Sequence, residues 1–422
     1  MRITGRSLNH GWHTGPGRAA ALLLTGLAVG CAGLGDDGQV PVVEVDPFWP
    51  QPLEYPFILG PVSGVTVAPD GHVLIVSRQD GFHEGNEINS VMSTGTCCTP
   101  TQAVLEFAPD GSLVREWGGP DEGYPWPVRP HAIAVDPEGN LWVGGGVAVG
   151  VGEAALQSQD QEYYSDEASG RYAENHYDSH ILKFSRDGRH LMTIGRTGQW
   201  PNSQSTESFG GPAGFSFDPA ANEAFVADGY ANRRVAVLDL GTGEVKRFWG
   251  AYGNPPDDAP LEDYDPDAPP PQQFRDVTCA ELSHDGLLYV CDRGNNRLQV
   301  FARDGTFVME QAIAPRTLGQ GSVWDVAFSP DPQQRFLYVA DGMNERVHIL
   351  DRESLEVRTS FGTGGRVPGT FRELGSVAVD LDGNVYTAEN GQGRRVQRFV
   401  NKGLGRVTAD HQGAPWPRGD GS

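Results

Sequence analysis

Cys291-Asp-Arg-Gly-Asn-Asn-Arg-Leu-Gln-Val-Phe301 is a phrase that this chain repeats. Val226-Ala-Asp-Gly-Tyr-Ala-Asn-Arg-Arg-Val-Ala-Val-Leu238, Val339-Ala-Asp-Gly-Met-Asn-Glu-Arg-Val-His-Ile-Leu350 and Thr387-Ala-Glu-Asn-Gly-Gln-Gly-Arg-Arg-Val-Gln-Arg-Phe399 follow the same order. Each holds a β-rich run, an acidic Gly/Asn turn closed by Arg, and a second alternating run. Such a turn between β-branched and aromatic runs marks two antiparallel strands.

Upstream of each phrase lies another hairpin, as in Ile133-Ala-Val-Asp-Pro-Glu-Gly-Asn-Leu-Trp-Val143. Downstream, a further strand often ends in an aromatic and Gly: Glu116-Trp-Gly118, Phe248-Trp-Gly250, Ser360-Phe-Gly362. One unit is therefore four strands, A to D. Six units are counted, with strand A near Gly64, Ala132, Gly214, Val277, Asp325 and Ser376. The last three starts are roughly 50 residues apart, the period of a propeller blade. The predicted fold is all-β: a six-bladed β-propeller of four-stranded antiparallel blades. A closed ring leaves only short edges. The last unit stops after its third strand, Arg395–Phe399, and Pro41-Val-Val-Glu-Val45 is the spare strand expected to complete it. The alternative is a ring closed by packing alone.

The N-terminus reads differently. Arg2, Arg6 and Arg18 precede an apolar run, Ala19–Val29, too short to span a bilayer, which meets Ala28-Val-Gly-Cys31. This pattern predicts a secretory signal over 1–30. A Cys after small residues resembles the bacterial lipoprotein cleavage box, with Cys31 as the lipidated residue. The alternative is an ordinary secreted protein with an incidental Cys. Residues 31–40 then read as a tether, 41–402 as the propeller and 403–422 as a disordered tail. The expected location is the bacterial cell envelope, with the membrane reached only through the lipid. No other stretch is apolar enough to span. A net charge of -23 argues against nucleic acid. The body is expected to be a monomer.

Cys279 and Cys291 each stand six residues from Asp285 at the turn of one hairpin, so they face each other within disulfide reach. Two small core thiols are the alternative. Cys97 and Cys98 are adjacent, either as a vicinal disulfide or free. Three insertions, Gln79–Thr101, Gly144–Ser179 and Ala251–Phe274, all fall where B–C loops and D–A crossovers leave one face. Such loops commonly carry function. The second holds Tyr163, Tyr164, Tyr172 and Tyr177 among acids, and the third is acidic and Pro-rich. Clustered acids suit calcium, or they are simply solvated loops.

Strand A is innermost, so its start rings the mouth of the channel. Counting back five residues from each lower turn gives Ser63, His131, Ala213, Thr278, Trp324 and Gly375. Just after strand B, the first and fourth blades place Arg78 and Arg293, and the third places Tyr230. Two guanidinium groups, a phenol and an imidazole thus converge, a set able to hold a carboxylate or other oxyanion. Arg in such turns also serves as a clamp on the loop, a role assigned to Arg233, Arg297, Arg346 and Arg395. Arg78 and Arg293 fit either role.

These repeats resemble NHL repeats. The ring from about residue 55 to 400 resembles the propeller of peptidyl-α-hydroxyglycine α-amidating lyase and its bacterial relatives. The shared phrases are Val62-Ser-Gly-Val65 with Arg78, Pro130-His131, Val226-Ala-Asp-Gly-Tyr230 and Val290-Cys-Asp-Arg293. The resemblance implies catalytic roles for Arg78, Tyr230 and Arg293. It also implies zinc held by three histidines at the start of strand A in alternate blades. Here His131 is the single remaining candidate ligand, because Thr278 and Gly375 stand at the other two places. Asp276 and Asp325 lie nearby. The reading is an envelope-anchored propeller that binds a small anionic ligand, a peptide or an envelope protein on its loop-bearing face. The alternative is a C–N lyase acting on α-hydroxyglycine amides, with a degraded zinc site.

Overall fold

The structure is a computed structural model and describes residues 38–78, 98–120, 122–146, 148–149, 176–407 and 409–412. Alternating apolar runs separated by Asp/Gly/Asn turns fold into six four-stranded antiparallel sheets. Strand A opens the blades at Val62–Val67, Pro130–Val135, Pro212–Asp218, Val277–Leu282, Asp325–Phe328 and Leu374–Val379. The last blade takes its outer strand from Gln39–Asp46, which runs antiparallel to Arg395–Arg406 with Val45 opposite Phe399. The ring is therefore closed by a strand, and the expected Pro41–Val45 segment lies within it. Strand C of that blade continues to Arg406, so the sequence boundary at 402/403 falls inside a strand. Residues 409–412 follow the fifth blade's outer strand, Val357–Phe361, where the Gln412 amide donates to the Ser360 carbonyl at 2.7 Å. Extended backbone with ladder partners leaves no reason for a tail to begin at 403.

The second strands are near-continuous apolar runs, as in Val73–Ser77 and Phe336–Asp341, and successive side chains point to opposite faces, so each blade feeds cores on both sides. One cluster joins Phe225, Val235 and Trp249 of the third blade to Val277, Leu288 and Phe301 of the fourth. Where last meets first, Tyr386, Ala388 and Val396 pack with Val62, Ile75 and Leu105. Trp49 seals that seam, with ring centroids 4.9 Å from Tyr386 and 6.0 Å from Phe107. Full burial of each such aromatic is worth about 1.5–3 kcal/mol.

The upper turns are tied by their acids. Asp228, Asp292 and Asp341 each accept from an Asn of the same turn at 2.8 Å: Asn232, Asn295 and Asn344. Asp228, Asp292 and Glu389 also accept the backbone amides of Gly210, Arg275 and Arg372, pinning the preceding crossover. Clamping arginines complete the device: Arg234 to Asp228 and Arg297 to Asp292, each at 2.7 Å, and Arg395 to Glu389 at 2.5 Å. Arg233 and Arg346, expected as clamps, have other partners. The third blade's clamp is Arg234, because its turn is one residue longer than the fourth's. Arg233 instead donates to the Asp257 and Ala259 carbonyls. In the fifth blade, Asp341 pairs with His348 at 3.0 Å, while Arg346 reaches only the Asn344 carbonyl. His348 lies two residues along the same strand and so on the same face.

Cys279 and Cys291 are direct cross-strand partners and form a disulfide. Cys98 is also disulfide-bonded, and Cys97 lies outside the described residues. So do Cys31 and the leader, most of the first two insertions, and Tyr163, Tyr164 and Tyr172. Among the described residues no helix is long and apolar enough to cross a membrane.

Candidate functional site: the channel mouth

In five blades the ladder between strands A and B slips at one position: Ser63, His131, Ala213, Thr278 and Gly375. These are the mouth positions obtained by counting back from the turns. A bulge re-aims the extra residue, which is why the position recurs at a site. The bulged backbones press close to the next blade. At Gly64 a Cβ would stand 2.5 Å from the His131 carbonyl, so glycine is required.

The imidazole of His131 meets Tyr230. Tyr230 Oη lies 2.8 Å from His131 Nε2, with the rings edge to face at 5.1 Å. Gly146 makes the room for this pair, since a Cβ there would fall 3.0 Å from His131 and 3.1 Å from Tyr230. Arg293 continues the line. Its Cζ sits 5.2 Å from the Tyr230 ring and 4.6 Å from the Trp324 ring, so the cation is held between two aromatics. Its Nε is buried with no hydrogen-bond partner, and its ion partner, Asp276, is 3.6 Å away, beyond a good hydrogen bond. Arg78 closes the site from the first blade, where its Nη1 donates to Asn390 Oδ1 at 3.3 Å. The four sequence-selected residues therefore gather at one end of the ring.

Burial, then the positive fields of Arg293 and Arg78, press His131 down to about 3, so its imidazole is neutral at physiological pH. Burial raises Tyr230 to about 12 despite the same two arginines, so it is a phenol and a hydrogen-bond partner. Sequence reading undervalued an acidic side to the mouth. Burial lifts Asp276 above the usual carboxylate range, Asp325 to about 6, and Glu281 well above its ordinary value with Asp325 adding repulsion. Asp325 is nevertheless anchored, accepting from Ser376 Oγ at 2.7 Å and the Val377 amide at 2.9 Å. The available signal was position: Asp276 and Asp325 flank the starts of neighbouring A strands. Trp324 was placed on the ring but not as the plate beneath Arg293.

The residues at the histidine positions do not fit the zinc that the resemblance implies. Thr278 Oγ1 donates to the Trp324 carbonyl at 2.7 Å, and Gly375 offers no donor atom. One imidazole is short of the three or four ligands zinc takes. Among the described residues no group of three His, Cys, Asp or Glu side chains gathers to hold a metal. In the described third insertion, Asp258 is engaged with Ser203 and Asp267 with Arg316, so its acids are dispersed.

No protein-family model matches the chain. Curated relatives do. Peptidylglycine alpha-amidating monooxygenase of Rattus norvegicus is 24% identical over 359 residues, covering 82% of this chain and 31% of the relative. Peptidyl-alpha-hydroxyglycine alpha-amidating lyase 1 of Drosophila melanogaster is 26% identical over 378 residues, covering 82% of this chain and 58% of the relative. The chain spans about a third of the first of these relatives' length. Among solved structures, a virginiamycin B lyase from Staphylococcus aureus with quinupristin aligns at TM-score 0.43 and 13% identity, covering 86% of this chain and 88% of that one. A streptogramin B lyase aligns at 0.44 and 12%, covering 86% and 98%. Likeness that loose carries no argument. The chain is thus similar in sequence to peptidylglycine amidating proteins and to an α-hydroxyglycine amidating lyase over 82% of its length, and it folds as a six-bladed ring.

Proposed function

We propose that this protein binds a small anionic ligand, such as a carboxylate or an acidic peptide, at the Arg78–His131–Tyr230–Arg293 mouth. One observation carries the reading. Arg293 is 7% exposed, plated between Tyr230 and Trp324, and its buried Nε lacks a partner. A buried donor without an acceptor costs about 1–3 kcal/mol, and an oxyanion would repay that. Neutral His131 and Tyr230 add hydrogen bonds without adding charge. Titration calorimetry with a panel of short carboxylates tests this. Saturable binding that Arg293→Lys weakens supports it; no binding across the panel overturns it.

The amidating relatives and the Tyr230–His131 contact support a second reading, a lyase that cleaves the C–N bond of an α-hydroxyglycine amide. In it, the arginines would hold the substrate carboxylate and Tyr230 would face its hydroxyl. Tyr230, raised to about 12, stays protonated at neutral pH and so is not poised to take a proton, which favours ligand binding. Glyoxylate release from an α-hydroxyglycine peptide would establish the lyase.

The basic leader, the apolar run and the small residues before Cys31 support anchoring in a bacterial cell envelope. Cys31→Ser should move the protein from the membrane fraction to the soluble one. If the wild type is already soluble, the lipid anchor is wrong.

A further inference from the structure

A second basic site lies one loop away from the mouth. A cavity of about 240 Å³ is lined by Arg366, Arg372, Glu389, Gln392, Gly393 and Arg395. It forms where the crossover into the sixth blade meets that blade's B–C loop, on the face that carries the mouth. Three arginines together are unexpected in a chain of net charge -23.

Their bonding separates them. Arg395 is framework: its Nε pairs with Glu389, and its two other nitrogens donate to the Arg366 and Thr370 carbonyls. Glu389 is likewise satisfied, accepting also from Gln397 and the Arg372 amide. This pair is a neutral wall. Arg372 is different. One Nη donates to Gln392 Oε1, while its Nε is buried without a partner. The Arg366 guanidinium has no hydrogen-bond or ion partner among the described residues. The nearby acids do not answer these charges. Glu345 caps the Glu373 and Leu374 amides at 2.7 and 3.2 Å, and Glu373 accepts the Gln392 amide at 3.2 Å. Two guanidinium charges are thus left facing a cavity large enough for several waters.

We propose that this cavity binds a small oxyanion, a phosphate or a carboxylate, held by Arg366 and Arg372 against the Arg395–Glu389 wall. Arginine suits the role because its fork matches two oxygens of one anion. The site is next to the mouth but does not depend on it. Asn390, which accepts from Arg78, is two residues from Gln392, which accepts from Arg372.

The test is calorimetry on the full chain at low, constant ionic strength, with inorganic phosphate in one arm and glutarate in the other. Arg372→Gln and Arg366→Gln should each weaken binding roughly ten-fold or more in the arm that matches the natural anion. Neither change touches the core, and thermal melts without ligand should coincide with wild type. The arm that loses affinity tells a free inorganic ion from an organic acid. In an Arg78→Lys background, where carboxylate binding at the mouth is weakened, saturable binding at this cavity should persist and should still be lost on adding Arg372→Gln, so failure at the mouth is distinguishable from failure here. If neither anion binds saturably, or if both bind the two variants as tightly as wild type, the proposal falls.

Discussion

Arg293 and Arg297 sit four residues apart in one turn, and they behave as different kinds of residue. The guanidinium of Arg297 is engaged on every nitrogen: Asp292 and Tyr252 at 2.7 Å, Glu310 and the Gln273 carbonyl at 3.3 Å. Arg293 is also buried, yet it rests on ring faces and leaves its Nε unanswered. Burial does not distinguish framework from site. The nearest acceptors do: Arg297 meets a carboxylate at 2.7 Å, whereas the ion partner of Arg293 stands 3.6 Å away.

Breaking the framework side should have the largest effect. Arg234 and Asp228 have fully buried side chains, and Arg297 and Asp292 nearly so. Replacing either arginine with Gln strands a buried carboxylate and should cost about 3–5 kcal/mol in urea unfolding, with mouth affinity in the folded protein unchanged. A loss below about 1 kcal/mol would erase the distinction. Arg346→Gln should cost much less, since Asp341 pairs with His348 instead.

On the site side, Arg293→Lys and Arg78→Lys keep the charge but lose the fork. Carboxylate affinity should fall roughly ten-fold, while stability shifts by less than about 1 kcal/mol. If the melts fall and the titrations do not, both arginines join the framework.

The dependence on pH should be slighter. Asp325 is raised to about 6, so it holds its proton below that pH and is negative above it. Its negative field reaches Tyr230 in the mouth. Affinity for an anion that stays ionised should therefore rise as pH falls from 7 to 5, by roughly two- to five-fold for one screened charge. His131, neutral down to about 3, adds nothing in this window. Asp325→Asn should reduce the rise, and a rise left at full size in that variant would point to Glu281 or Asp276 instead.

Much of this was legible in the residues. Repeated turns of Asp, Gly and Asn set the blade count, and a fixed count from those turns reached the bulges that carry His131 and its neighbours. Short-range geometry transmits such information, because hairpin turns fix register. What sequence could not supply was partner choice. Arg233 and Arg234 are adjacent in sequence, and only the length of the turn decides which faces Asp228. The plate of Trp324 under Arg293 and the acidity of Asp325 depend on neighbouring blades, which no local pattern encodes. The Arg366–Arg372 cavity joins a crossover to a loop and has no repeat signature at all.

The strand that completes the sixth blade has a consequence for how the protein is made. Gln39 pairs with Arg406, and Trp49 wedges between the first and last blades. During synthesis, residues 39–46 emerge early and remain without their partner until residue 406 has been added. Closure over so long a separation is slow, and the waiting strand is an exposed edge. The ring cannot shut on the ribosome before almost all of the described chain has emerged. Ring closure is therefore a late step, and every other blade can form its own sheet before the sixth is complete.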